Sequence, residues 1–159
     1  MILNTRVDHR LLHGQVAFAW TNYLNVNCIL IANDTVPNDE TRKNTMRLAK
    51  PQGVKLIMKP INECVNAINQ GLTDKYKMFI VVDSVRDAYR LVEGTGNAIK
   101  KLTLGGTKAT SETKNISKAV NLTDQEFTYL DELILKGVNV YIQQVPSDKK
   151  IKYSELKRR

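Results

Sequence analysis

Apolar runs of strand length alternate with longer stretches of helical spacing almost from end to end of the chain. Residues 1–6 begin apolar and end charged, and residues 28–32, 54–58, 78–82, 99–104 and 138–142 read as five further strands. Between them, residues 39–49, 61–69, 84–93 and 124–136 carry apolar side chains at helical spacing. Two of these segments have start signals, Ser84-x-x-Asp87 and Thr123-x-x-Glu126, and the last runs to a Lys136-Gly137 stop. Strands that alternate with helices predict an α/β fold: an open, mainly parallel twisted sheet with helices on both faces. Residues 115–122 read as a short edge strand. Pro37, Pro51, Pro60 and Pro146 all fall in predicted connections. No internal repeat, low-complexity run or Pro/Gly/Ser-rich linker interrupts the alternation, so residues 1–159 are expected to form a single domain.

With 42% apolar residues in 159, the chain can bury a real core. It carries 24 Lys and Arg against 16 Asp and Glu, a net charge of +8 that favours acidic partners, nucleic acid or phosphorylated ligands. Lys149, Lys150, Lys152, Lys157, Arg158 and Arg159 supply much of that excess, and this tail reads as a solvated end. Aromatic residues make up 6% and are not interleaved with the basic ones, which argues against a stacking platform for nucleic acid. Cys28 and Cys64 stand far apart with no Cys or His partner at metal-ligand spacing, so buried free thiols in a reducing compartment are expected. No basic leader with a long apolar segment opens the chain, and no stretch approaches the ~20 apolar residues of a membrane span. A soluble, cytoplasmic protein is the expectation.

The chemistry concentrates in Asp8-His9-Arg10-Leu11-Leu12-His13-Gly14-Gln15, which holds the only two histidines and falls where the first strand hands over to the first helix. Such a loop leaves the carboxyl edge of the sheet, the edge where open α/β sheets bind ligands. A histidine at the start of a helix lies beside backbone N–H groups without intrahelical partners, and these favour a dianionic group attached there. His13 therefore has the chemistry of a phosphoryl acceptor, with Arg10 and Arg6 as cations for the charge in transit and Asp8 to orient an arginine or an imidazole nitrogen. Gly14 lets a phosphate or partner backbone come close. Asn33, Asp34, Asp83, Ser84, Gly105 and Gly106 end other strands on the same edge and are candidates to frame the site. Three rival readings stand beside this one. His9 and His13 have metal-ligand spacing, though Arg10-Leu11-Leu12 between them supplies no glutamate and sets a cation beside the proposed ligand. His13 as a mere helix cap is the second. A nucleotide-binding sheet is the third, but Gly94-Thr95-Gly96 ends a helix instead of starting one.

The run Arg6-Val7-Asp8-His9-Arg10-Leu11-Leu12-His13-Gly14-Gln15-Val16 resembles the opening of the IIB components of the mannose/fructose/sorbose family of the bacterial phosphoenolpyruvate-dependent sugar phosphotransferase system, usually worded Arg-Ile-Asp-Asp-Arg-Leu-Ile-His-Gly-Gln-Val. Similarity continues through Ile31-Ala32-Asn33-Asp34, Leu104-Gly105-Gly106, Lys118-Ala119-Val120-Asn121-Leu122-Thr123 and Gly137-Val138 to Gln144-Val145-Pro146. The resemblance implies a phosphotransferase that takes a phosphoryl group from a histidine of a IIA component. It passes the group to a sugar entering through membrane components IIC and IID. It further implies His13 as the phosphohistidine, through Nδ1, with Arg10 beside it, Asp8 as first acid, Gly14 and Gln15 in the turn, and Arg6 at the head of the motif. The carrier chemistry needs no metal and no cofactor, nucleic acid is not expected as a partner, and a homodimer is left open. His9 departs from the pattern, since it stands where the family has a second acid and brings a second titratable imidazole to the site. A basic nucleic-acid-binding module and a His13-phosphorylated regulator without sugar transfer are the alternative functions.

Overall fold

The computed structural model describes residues 1–156, except the side chains of Gln15 and Val16, so Lys157, Arg158 and Arg159 of the basic tail lie outside the described residues. Strands β1 (Ile2–Asp8), β2 (Cys28–Ala32), β3 (Lys55–Lys59), β4 (Met78–Val82), β5 (Lys101–Gly106), β8 (Asn139–Ile142) and β9 (Ile151–Lys152) form one sheet in the order β3-β2-β4-β1-β5-β8-β9. All neighbours run parallel except β9, which is antiparallel to β8. The helices are α1 (Gly14–Leu24), α2 (Glu40–Ala49), α3 (Ile61–Asn69), α4 (Val85–Thr95), α5 (Asp124–Leu135) and the single turn α6 (Tyr153–Leu156). The result is a single-domain α/β fold with a mostly parallel sheet between helical layers.

Strands β2 and β4 are buried at every position, as expected for inner parallel strands with helices on both sides. One core cluster joins α1 and α2 to the sheet through Trp20, Met46, Ile29, Ile31, Phe79 and Val81. The other joins α3, α4 and α5 through Cys64, Leu91, Leu130 and Leu133. The predicted starts hold: Ser84 accepts from the Asp87 amide, and Thr123 with Glu126 forms a complete capping box.

Two expectations are corrected. Residues 115–122 do not form an edge strand of the main sheet. They fold as a hairpin of β6 (Lys114–Ser117) and β7 (Val120–Leu122) in a sheet of its own. Alternation places Val120 and Leu122 in the core, while the Thr107 side chain bonds both N–H and C=O of Asn121 and holds the hairpin over the end of β5. In the described part of the C-terminus Lys149, Lys150 and Lys152 are exposed, as a solvated end requires, but the apolar residues among them are anchored. Ile151 pairs with β8, and Tyr153 is fully buried against Phe127. Its lysines mask an apolar series, Ile151, Tyr153 and Leu156, that the charge count hides.

The connection after β1 crosses to β2 through α1 on one face, whereas the connection after β5 leads to β8 through α5 on the other. Adjacent strands whose connections leave in opposite directions create a crevice at their carboxyl ends. A register shift between Val7 and Asp8 sits at that crevice.

Candidate functional site

Asn4, Thr5, Arg6 and Asp8 are buried polar residues in a central strand, an arrangement that costs stability unless each polar group is paired. Strand alternation puts Asn4, Arg6 and Asp8 on one face, that of α1. Asn4 bonds Thr103 of β5 at 3.0 Å. Arg6 donates from Nη1 to the Gln143 carbonyl at 2.9 Å and from Nη2 to the Gln144 carbonyl at 2.8 Å, with Asp8 Oδ2 at 3.5 Å. Asp8 Oδ1 accepts from the Arg10 amide at 3.1 Å, and its Oδ2 lies 3.1 Å from His13 Nε2.

The loop between β1 and α1 is pinned from below. Leu11 and Leu12 are buried in the α1-side core, and Leu11 adopts a left-handed φ of 58°, held by its amide bond to the Asp8 carbonyl at 2.9 Å. With both leucines turned inward, Arg10 is left exposed, and its guanidinium has no partner among the described residues. His13 is the N-cap of α1, with extended backbone and a carbonyl that accepts from Ala17 at 3.2 Å. Its side chain makes no capping bond. The imidazole is 21% exposed, tethered at Nε2 to Asp8 and set beside the unpaired amides of a helix whose first turn holds no acid. Gly14 opens the helix at a φ of +32°, and a Cβ there would meet nothing within 4 Å, so an incoming group has room beside His13.

Burial acts to raise the pKa of Asp8, but the bonds from His13 and the Arg10 amide, with the Arg6 charge, outweigh it and hold the carboxyl below its ordinary range. Burial lowers the Arg6 guanidinium from its ordinary value, and Asp8 opposes that shift. An ionised carboxylate accepts hydrogen bonds only, so in the neutral imidazole Nε2 carries the proton and Nδ1 the lone pair. The buried thiols offer no competing nucleophile, since burial pushes Cys28 up to about 11 and Cys64 up to about 12.

Two clefts border the loop. One of about 450 Å³ is walled by Asp8, Arg10, Gly105, Gly106, Gln144 and Asp148. The other, about 370 Å³, lies between His9, Asp83, Ser84 and the β6–β7 hairpin. His9 stands at the boundary of both, with Nδ1 buried and unpartnered among the described residues and its amide bonded to the Gly106 carbonyl at 3.0 Å. The structure thus brings Asp8, Arg10, His13, Gly14, Gly105 and Gly106 together. Gln15 contributes backbone to α1, and its side chain lies outside the described residues. Arg6 borders the first of these clefts but is 2% exposed, with Nη1 and Nη2 both donating to protein carbonyls. Asn33 and Asp34 stand apart: Asn33 bonds Asp83 at 2.8 Å and the amides of Thr35 and Val36, and Asp34 pairs with Arg90 at 2.7 Å. They stitch β2 to α3 and α4. Among the described residues, no group of three or more His, Cys, Asp or Glu could hold a metal ion.

Sequence reasoning about the site missed Trp20 and the segment from Gln143 to Asp148. Trp20 has the spacing of a core residue, which it also is, and its indole bond to the Gln144 carbonyl at 2.9 Å leaves no mark in the sequence. The available signal was Gln144-Val145-Pro146, a polar turn directly after a strand on the same edge.

Comparison with known proteins identifies the family and the fold. The family described as PTS system sorbose subfamily IIB component matches residues 2–158. The N-acetylgalactosamine-specific phosphotransferase enzyme IIB component 1 of Escherichia coli is 34% identical over 150 residues, 94% of each chain. The crystal structure of the IIBSor domain of the sorbose permease from Klebsiella pneumoniae superimposes with a TM-score of 0.92 at 30% identity, covering 99% of this chain and 96% of that one. The mannose-specific EIIAB component of Escherichia coli is 28% identical over 151 residues, 95% of this chain and 46% of its own length.

Proposed function

The chain belongs to the sorbose-subfamily IIB components of the sugar phosphotransferase system, and from that premise we propose that it is a phosphocarrier that accepts a phosphoryl group on His13 and passes it to an imported sugar. The donor is a phosphohistidine on a IIA component. The relative named EIIAB supports this pairing, because the present chain spans about half of a protein whose name joins both components. Discharge takes place on the cytoplasmic side, against membrane components IIC and IID. No helix among the described residues is long and apolar enough to cross a membrane, so transport itself falls to those partners.

The observation that carries this reading is the 3.1 Å bond between His13 Nε2 and Asp8, made by a helix-capping histidine that makes no capping bond. It presents Nδ1 with its lone pair free. In transfer, the N–P bond to the donor histidine breaks as a P–N bond to Nδ1 forms, while the proton remains on Nε2 in its hydrogen bond to Asp8. The positive charge that develops on the imidazole is stabilised by that carboxylate. Arg10 and the first amides of α1 face the equatorial oxygens. A sugar hydroxyl oxygen then attacks phosphorus and gives up its proton to water, while the P–Nδ1 bond breaks and its electron pair returns to Nδ1, so that His13 regains its starting tautomer.

Incubation with phosphoenolpyruvate, the general phosphotransferase proteins and a cognate IIA component is expected to add one acid-labile, alkali-stable phosphate, read by intact mass and absent in His13→Ala. Discharge that depends on sugar and on the membrane components separates a carrier from a regulator. An unmodified protein beside a phosphorylated IIA would contradict the reading.

A further inference from the structure

We infer that Arg6 is a positioning residue for phosphoryl acceptance and that position 105 is glycine so that Arg6 can do this. The inference rests on the reading of His13 as acceptor and extends it to two residues that make no bond to His13 themselves. Arg6 sits on β1, and the sheet order places β5 between it and β8. To reach the carbonyls of Gln143 and Gln144 beyond the end of β8, the guanidinium must cross β5. It crosses at Gly105, where a Cβ would overlap Cζ and Nη2 of Arg6. There the guanidinium lies 5.1 Å from the centroid of the Trp20 ring. Trp20 in turn donates to the Gln144 carbonyl that Arg6 Nη2 also bonds.

One planar fork therefore ties β1, α1 and the segment after β8 to the carboxylate that holds His13. The fork is matched to arginine: two of its nitrogens serve two successive carbonyls while the same Nη2 faces Asp8. The consequence for His13 runs through both the charge and the placement of Asp8, and the placement needs the fork. A cation 2% exposed requires its counter-ion, so Arg6 keeps Asp8 ionised and fixed. A fixed carboxylate accepts from Nε2–H and leaves Nδ1 unprotonated. With the guanidinium displaced, Asp8 loses the partner that sets its charge and direction, and the imidazole is free to exchange tautomers.

Gly105→Ala tests this by adding one methyl group and removing no polar atom, and Arg6→Lys keeps the charge without the fork. The readouts are the imidazole 15N shifts of His13 across pH and the initial rate of phosphorylation by phospho-IIA. For both variants we expect a rate lower by on the order of 10²-fold, the scale of a misplaced reacting group, and a His13 signal that moves from Nε2–H toward mixed tautomers. A purely structural role would lower thermal stability and leave the tautomer alone. A folded Gly105→Ala with the unaltered tautomer, whatever its rate, overturns the inference. Should Gly105→Ala fail to fold, Arg6→Lys with an unaltered tautomer overturns it equally. The tautomer measurement needs no phosphate, so it decides the Arg6 linkage even if the unaltered protein accepts none, an outcome that would instead refute His13 as acceptor.

Discussion

Asp8→Asn is expected to lower phosphoryl acceptance by His13 on the order of 10³-fold, a loss on the scale of misplaced tautomers in other histidine-dependent sites. The substitution keeps the shape of the side chain. It replaces an acceptor-only carboxylate with an amide that donates as well as accepts. When the amide N–H faces His13, Nε2 becomes the acceptor and the proton moves to Nδ1, so the nucleophilic lone pair is lost. The carboxylate that balances the developing imidazolium charge goes with it. Stability falls too, because Arg6 becomes a buried cation without its anion; since it retains two carbonyl partners, a cost of about 3 kcal/mol, the low end for a broken buried pair, is expected. The sign of the pH dependence follows from the lowered pKa of Asp8. Its contribution is present above the unfolded carboxylate value of about 3.9 and is lost as pH falls through the lower folded value. Denaturant melts should therefore show the gap between the unaltered protein and Asp8→Asn constant near neutrality and closing below about pH 4. A gap that widens on acidification would contradict the assignment.

The second large effect concerns Trp20. Truncation to Ala is expected to cost about 3–5 kcal/mol, the range for a fully buried aromatic ring, and so to lower the melting temperature by roughly 10 °C for a chain of this size. The ring is 1% exposed and stacks on Phe79 at 6.4 Å, with Tyr23 edge-on at 5.9 Å. It also forms the floor under Arg6. Trp20→Ala should accordingly slow phosphoryl acceptance in addition to destabilising the fold. Trp20→Phe separates the two roles, since it keeps most of the packing and loses the indole donor to Gln144, a change of about 1 kcal/mol. Calorimetry and transfer rates on both variants check this.

These effects show where the sequence was legible. The main-sheet strands longer than two residues were readable as short apolar runs, β2 and β4 being buried throughout, and the helices up to α5 by their apolar spacing. The loop with His13 was readable because its residue types are dense in chemistry and lie between a strand and a helix. The hairpin from Lys114 to Leu122 was misread as one edge strand because its strands are four and three residues long, too short for alternation to reveal the turn between them. The C-terminal strand was hidden by its lysines. Arg6 looked like a second phosphate ligand because sequence shows charge and not burial. Only the sheet order, with glycine on the strand between, shows that the guanidinium turns toward Gln143 and Gln144. Trp20 and Gln144 meet across 124 residues, a contact that no local pattern encodes.

Phosphoryl acceptance by His13 requires Asp8 to hold Nε2 and leave Nδ1 to react. Nitrogen-15 and phosphorus-31 NMR of the enzymatically phosphorylated protein, recorded in alkali where phosphohistidine persists, tests that most directly. The predicted result is a single phosphate on Nδ1 of His13, with Nε2 left unphosphorylated on the side of Asp8. Phosphate on Nε2 of His13, or on His9, would contradict it.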